Sequence, residues 1–165
     1  MSLQLEERFL AAYDEHADAI FRFCYAQTGQ RDLALDLMQD TFVRAWKHLQ
    51  RGRSVRLMRP FLYSTARNAL IDYSRKAVAQ SLDSMHEEGF EIADAHAIDP
   101  LLAATNQHVI GMVQQLDPMY RDVVSMRFLD ELMPREIAVI TGEKESVIST
   151  RITRGLEQLR VLLHV

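Results

Sequence analysis

Pro134-Arg135-Glu136-Ile137-Ala138-Val139-Ile140-Thr141-Gly142-Glu143-Lys144-Glu145-Ser146-Val147-Ile148-Ser149-Thr150-Arg151 is the stretch whose reading decides the fold. A short helical pattern runs through Glu136-Ile137-Ala138, breaks at Gly142, and is followed by a second helical pattern carrying Arg151 and Arg154. A short helix, a glycine-bearing turn and a second helix make a helix-turn-helix, whose second helix can enter a DNA major groove. On a helical wheel the second pattern turns Ile148, Ile152, Gly155/Leu156, Leu159 and Leu162/Leu163 inward. Ser146, Thr150, Thr153 and Glu157 face away, flanked by Arg151 and Arg154 on one side and Ser149 on the other. Small hydroxyl residues let a helix sit close to base edges, and arginines reach phosphates or guanine. A solvated amphipathic helix has the same pattern; the turn at Gly142 favours the DNA-reading alternative.

Upstream, the apolar spacing stays helical. It runs Ala34, Met38, Thr41/Phe42, Ala45, Leu49 in one segment and Leu62, Ala66, Ala69/Leu70, Tyr73 in another. No run of alternating β-branched residues interrupts it, so the expected fold is all-α. Asp99-Pro100 and Asp117-Pro118 each pair a helix cap with a proline suited to a first helical turn. Ala77–Asp99 shows no sustained stripe and holds six acids with no Lys or Arg. The expected organisation is a helical unit over 1–76, a flexible acidic linker over 77–99, and a helical unit over 100–165 carrying the helix-turn-helix.

A chain of 165 residues, 48% hydrophobic and 25% charged, has the composition of a globular protein with one ordinary core or two small ones. No apolar run reaches the ~20 residues of a membrane span. The acidic start lacks a signal peptide's basic and apolar regions. With a single cysteine, Cys24, no internal disulfide is possible, and the expected location is the cytoplasm. The net charge of −4 conceals its distribution, since six bases and no acid lie between Arg44 and Arg59. Such a local patch attracts a phosphate backbone whatever the total charge.

Two faces of the first unit carry chemistry. Asp36, Asp40, Val43 and Lys47 lie opposite the core stripe of their helix, with Gln39 at the edge, which fits either a solvated face or a protein-docking surface. Beyond Pro60, Phe61, Ser64, Asn68, Ile71 and Arg75 share the outward face of the next helix, after the basic run Arg51, Arg53, Arg56, Arg59. Bases with an outward aromatic and an amide suit melted or single-stranded DNA, where charge holds phosphates and the ring stacks on a base. Packing of Phe61 and Ile71 on neighbouring helices is the alternative.

Three strings together resemble the extracytoplasmic-function (ECF) sigma factors of the sigma-70 family. Asp36-Leu37-Met38-Gln39-Asp40-Thr41-Phe42-Val43-Arg44-Ala45-Trp46 is similar to the helix that docks on the RNA polymerase clamp. Phe61-Leu62-Tyr63-Ser64-Thr65-Ala66-Arg67-Asn68-Ala69-Leu70-Ile71-Asp72 is similar to the promoter-melting helix. Leu116–Val124 with Glu136-Ile137-Ala138 and Arg151 is similar to the −35-reading domain. The resemblance implies a dissociable polymerase subunit, not an enzyme, that selects promoters and starts transcription. It implies docking on the clamp through Asp36, Gln39, Asp40 and Phe42, and on the β flap through the C-terminal unit. It implies contact with melted −10 DNA through Arg51, Arg53, Arg56, Arg59, Phe61, Ser64, Asn68 and Arg75. Double-stranded −35 DNA would be read by Ser146, Ser149, Thr150, Arg151 and Arg154. An anti-sigma factor is a further implied partner, and no cofactor or metal is implied. Met133 stands where the family commonly has a capping Ser or Thr, and Glu143 and Glu145 bring carboxylates toward DNA. Weak −35 binding by the isolated C-terminal unit is therefore expected.

Other functions explain less. A stand-alone helix-turn-helix regulator leaves the first two strings unexplained, and a sigma-like inhibitor would dock on polymerase without reading DNA. His16, His48, His86, His96, His108, His164 and Cys24 have no metal-ligand spacing, and no Gly-rich phosphate loop occurs.

Overall fold

The computed structural model describes residues 2–83 and 100–164. They form α1 (Ser2–Thr28), α2 (Arg31–Gln50), α3 (Met58–Asp83), α4 (Pro100–Gln114), α5 (Pro118–Val124), α6 (Pro134–Thr141) and α7 (Glu145–Leu163). A π-helical turn, Ser125–Leu129, continues α5, and no strand occurs among the described residues.

In α2 the expected stripe of Ala34, Met38, Thr41, Phe42, Ala45 and Leu49 is buried, joined by Leu37. Thr41 is tolerated there because its hydroxyl donates to the Leu37 carbonyl at 2.7 Å. Helix α1 lays Ile20, Phe23 and Cys24 into the same core, and Phe9 sets its ring 5.0 Å from Trp46 and 6.1 Å from Phe42. Helix α3 closes the unit with Leu62, Tyr63, Ala66 and Ala69; the Tyr63 ring meets Phe23 edge-on at 5.4 Å.

Two expectations about α3 are corrected. Tyr73, placed on its inward stripe, is 42% exposed, because α3 outruns its partners and every side chain over 73–82 faces solvent. The helix also continues beyond Lys76 to Asp83, where Ala77, Ala79, Gln80 and Leu82 are good helix formers unbroken by Gly or Pro. The rest of the acidic stretch, with Asp99 as the expected cap of Pro100, lies outside the described residues.

Downstream, Arg121 fastens the turn between α4 and α5 by donating to the carbonyls of Gln114 at 2.7 Å and Leu116 at 3.1 Å. Its desolvation lowers its pKa from the ordinary arginine range. Helix α7 buries Ile148, Ile152 and Gly155. The expected inward stripe stops short, however, since Leu162 and Leu163 are 38% and 45% exposed. The seven-residue α5 is too short to cover the nineteen-residue α7 to its end. The two halves are in contact: α1 packs on α4 and the π-turn, and α3 packs on α6. Their buried side chains form one continuous apolar cluster.

Candidate nucleic-acid interface

The helix-turn-helix is built as its spacing requires. Pro134 occupies the first turn of α6 after Met133, and the cap missing at Met133 is replaced from within the helix. The Glu136 carboxylate accepts from the Met133 backbone N–H at 2.8 Å, which satisfies one orphan donor of the helix start. Gly142 ends α6 in the left-handed region, at φ 73°, and donates its N–H to the Ala138 carbonyl at 2.9 Å. A side chain there would meet backbone strain. Helix α7 then presents Ser146, Ser149, Thr150 and Arg154 to solvent. Arg151 is engaged instead: its Nη2 lies 3.2 Å from the Glu143 carboxylate. The Thr150 hydroxyl donates back to the Ser146 carbonyl at 3.0 Å, leaving its oxygen to accept.

At the head of α3, Arg51, Arg53 and Arg56 are exposed on the preceding loop, and Asn68 and Arg75 are exposed along the helix. Ser64 is half-buried. Phe61 is half-buried too, with its ring centroid 4.8 Å from that of His48, so it packs partly on α2 and is not freely offered. Arg59 is turned away from this group, its Nη2 donating to the Asp130 carbonyl at 2.6 Å and its Nη1 lying 3.7 Å from Glu136. His48 did not emerge from the sequence reading, although its place beside Leu49 puts it at the margin of the core stripe.

On α2, Asp36 and Gln39 are exposed and Asp40 is half-buried. Asp40 pairs with Arg44 at 2.9 Å, and Arg44 also reaches Asp72 of α3 at 2.8 Å. The hydrogen bond from Arg44 holds the Asp72 carboxyl below its usual range, and the same bond raises the guanidinium pKa of Arg44. Phe42 requires correction as a docking residue. It is 3% exposed, since the stripe that buries Met38 and Ala45 buries it as well, and its ring meets Tyr13 at 4.8 Å. It is part of the apolar core.

Among the described residues no group of three or more His, Cys, Asp or Glu is placed to hold a metal, and no helix is long and apolar enough to cross a membrane. Residues 12–79 match the family model "Sigma-70 region 2", and residues 107–159 match "Sigma-70, region 4". Similar proteins include the ECF RNA polymerase sigma factor SigL of Mycobacterium tuberculosis, 30% identical over 156 residues spanning 93% of this chain and 87% of the relative. The ECF RNA polymerase sigma factor SigM of Bacillus subtilis is 26% identical over 155 residues, 91% of each chain. Among solved structures, the fold is similar to the sigma factor RpoE of Bartonella quintana in complex with the anti-sigma factor NepR, with TM-score 0.76, 21% identity, and coverage of 96% of this chain and 98% of that one. It is similar also to CnrH in complex with the cytosolic domain of CnrY, with TM-score 0.69, 20% identity, and coverage of 96% and 89%.

Proposed function

The chain belongs to the ECF RNA polymerase sigma factors, and from that premise we propose how its surfaces divide the work. It binds core RNA polymerase and directs promoter recognition and transcription initiation, and it is not an enzyme. The region 2 match over 12–79 accounts for the upstream strings that a stand-alone regulator would leave idle.

Asp36, Gln39 and Asp40 are the side chains of α2 that dock on the polymerase clamp. Arg51, Arg53 and Arg56, with Ser64, Asn68 and Arg75, hold the melted −10 strand, and Phe61 rests beneath a base. Flipping a base costs a few kcal/mol, least where the duplex is weak, so this group reports sequence through melting. Ser146, Ser149, Thr150, Arg151 and Arg154 read the −35 duplex, and the C-terminal unit docks on the β flap. Most of the affinity for −35 DNA comes through polymerase, because Glu143 and Glu145 set carboxylates beside phosphates. An anti-sigma factor is the partner that would hold the protein inactive, as the anti-sigma factor NepR is bound in one similar structure. The cytoplasm is where such a partnership with polymerase operates.

The observation that supports this assignment is the exposure of two separate sets of basic and polar side chains on one chain, on the loop and outer face of α3 and along α7. Run-off transcription with purified core polymerase across a promoter library tests it. New transcripts that share motifs near −35 and −10 are expected only when the protein is added. Tight core binding without transcripts would overturn the promoter-reading half of the assignment.

A further inference from the structure

We propose that Asp72, on the helix assigned to the −10 strand, is a positioning residue for polymerase docking that acts through Arg44 on Asp40. This role rests on the reading of Asp36, Gln39 and Asp40 as the clamp-docking side chains, while the bridge that carries it stands on the geometry of α2 and α3.

One guanidinium serves two carboxylates on two helices. Asp40 and Arg44 stand one turn apart on α2, the spacing at which an acid and a base on a helix meet, and Arg44 Nε lies 2.9 Å from Asp40 Oδ2. Helix α2 packs along α3, which brings Arg44 Nη1 to 2.8 Å from Asp72 Oδ2. Asp72 follows Asn68 by one helical turn and comes shortly before Arg75, so it borders the outward face of α3. A planar guanidinium offers donors on separate edges and holds both acids in fixed directions.

The two acids do not share the guanidinium evenly. The hydrogen bond to Asp72 does most to raise the Arg44 pKa, ahead of the charge of Asp40, and the same bond holds the Asp72 carboxyl below its usual range. The Arg44, Asp40 and Asp72 side chains are 36%, 44% and 45% exposed. Exposed ion pairs are weak, so a partner that reaches this surface can redistribute them.

Docking needs the Asp40 carboxylate. Ionised Asp36 and Asp40 are acceptors only, so the surface that fits them carries Arg or Lys. Arg44 competes with such a surface for Asp40 and repels it as a like charge. By drawing the guanidinium toward α3, Asp72 leaves Asp40 partly unclaimed. Without Asp72 the guanidinium has one acid left and settles on it. The coupling is reciprocal: a basic partner that takes Asp40 leaves Arg44 to Asp72, at the edge of the −10 face.

The test titrates the fluorescently labelled full chain with core polymerase and reads affinity by anisotropy. Asp72→Asn is expected to weaken core binding about twofold to fivefold, the range of an exposed ion pair, and Arg44→Gln to tighten it by a similar factor. The double variant is expected to match Arg44→Gln alone, so that the second change restores what the first removed. Mere loosening of α2 on α3 would make the two changes add as losses. Wild-type affinity in Asp72→Asn would overturn the proposal, as would a loss that persists undiminished beside Arg44→Gln. If Arg44→Gln loses helix content by circular dichroism, Arg44→Met, which keeps an aliphatic stem, takes its place. Asp36→Asn and Asp40→Asn separate this role from the reading beneath it, since both are expected to weaken core binding. Wild-type affinity in both would overturn the docking reading itself, whereas their loss beside an unresponsive Asp72→Asn would overturn only the part given to Asp72.

Discussion

Glu143 holds Arg151 of α7 at 3.2 Å. An exposed pair of this kind is worth ~0–1 kcal/mol, so in the proposed −35 contact DNA would compete for the arginine while the Glu143 carboxylate would repel the phosphates. Replacing Glu143 with Gln is expected to tighten binding of the full chain to a −35 duplex by roughly threefold to tenfold at fixed salt. Arg151→Ala is expected to weaken it by ~1–3 kcal/mol and to relax preference at one base pair, if the contact is bidentate. Anisotropy titrations against single-base variants of the duplex check both outcomes. Equal binding of Glu143→Gln and wild type would mean that the carboxylate does not restrain recognition.

At the scale of the element, the position of α7 depends on how closely it lies against α5. An added Cβ at Gly155 would stand 2.5 Å from Val124 Cγ2 and 3.3 Å from Tyr120 Cβ. Val124 is buried and cannot swing clear, so the helices must separate. Gly155→Ala is expected to destabilise the protein by ~1–3 kcal/mol despite the better helix propensity of alanine, seen as a lower urea midpoint. Recognition by α7 should weaken with it. The start of α6 makes a smaller claim. Glu136→Ala removes the acceptor for the Met133 N–H and should cost ~1 kcal/mol, whereas Glu136→Gln should recover most of it.

At the scale of the whole molecule, Asp130 links the packing of the halves to pH. Burial pushes its carboxyl up to about 6 from an ordinary 3.8, against the opposing pull of Tyr63, Arg22 and Arg59. Cys24 faces it from α1, and its thiol is pushed up to about 12 by burial and then by Asp130. Because the folded-state value lies above the unfolded one, the folded protein binds more protons between about 4 and 6. Stability therefore falls as pH rises through that window, by at most about 3 kcal/mol, and the penalty is fully present above about 6. Burial raises the Asp122 carboxyl too, though Arg67 opposes it. Asp130→Asn is expected to melt above wild type at pH 7.5, to keep roughly half of that advantage at about pH 5, and to lose it below about pH 4. A gap between the two proteins that does not change with pH would remove Asp130 as its source.

Periodicity by itself determined the helices and most of their buried faces, because a 3.6-residue repeat is a local property that packing only has to accept. The Gly142 turn and the outward face of α7 were legible for the same reason: a left-handed turn needs glycine, and polar residues opposite an apolar stripe face water. The basic loop before α3 was legible as charge. Tertiary structure alone decided the exceptions. Tyr73, Leu162 and Leu163 sit in register with buried residues yet are exposed, because their helices outrun their neighbours. Phe42 lies in the docking string but is buried, and Arg59 belongs to the basic run but is turned to Asp130. No spacing rule reaches from Arg67 to Asp122 or from Tyr63 to Asp130. Those pairs join segments more than fifty residues apart, and burial and partnership at such range arise only when separate helices meet.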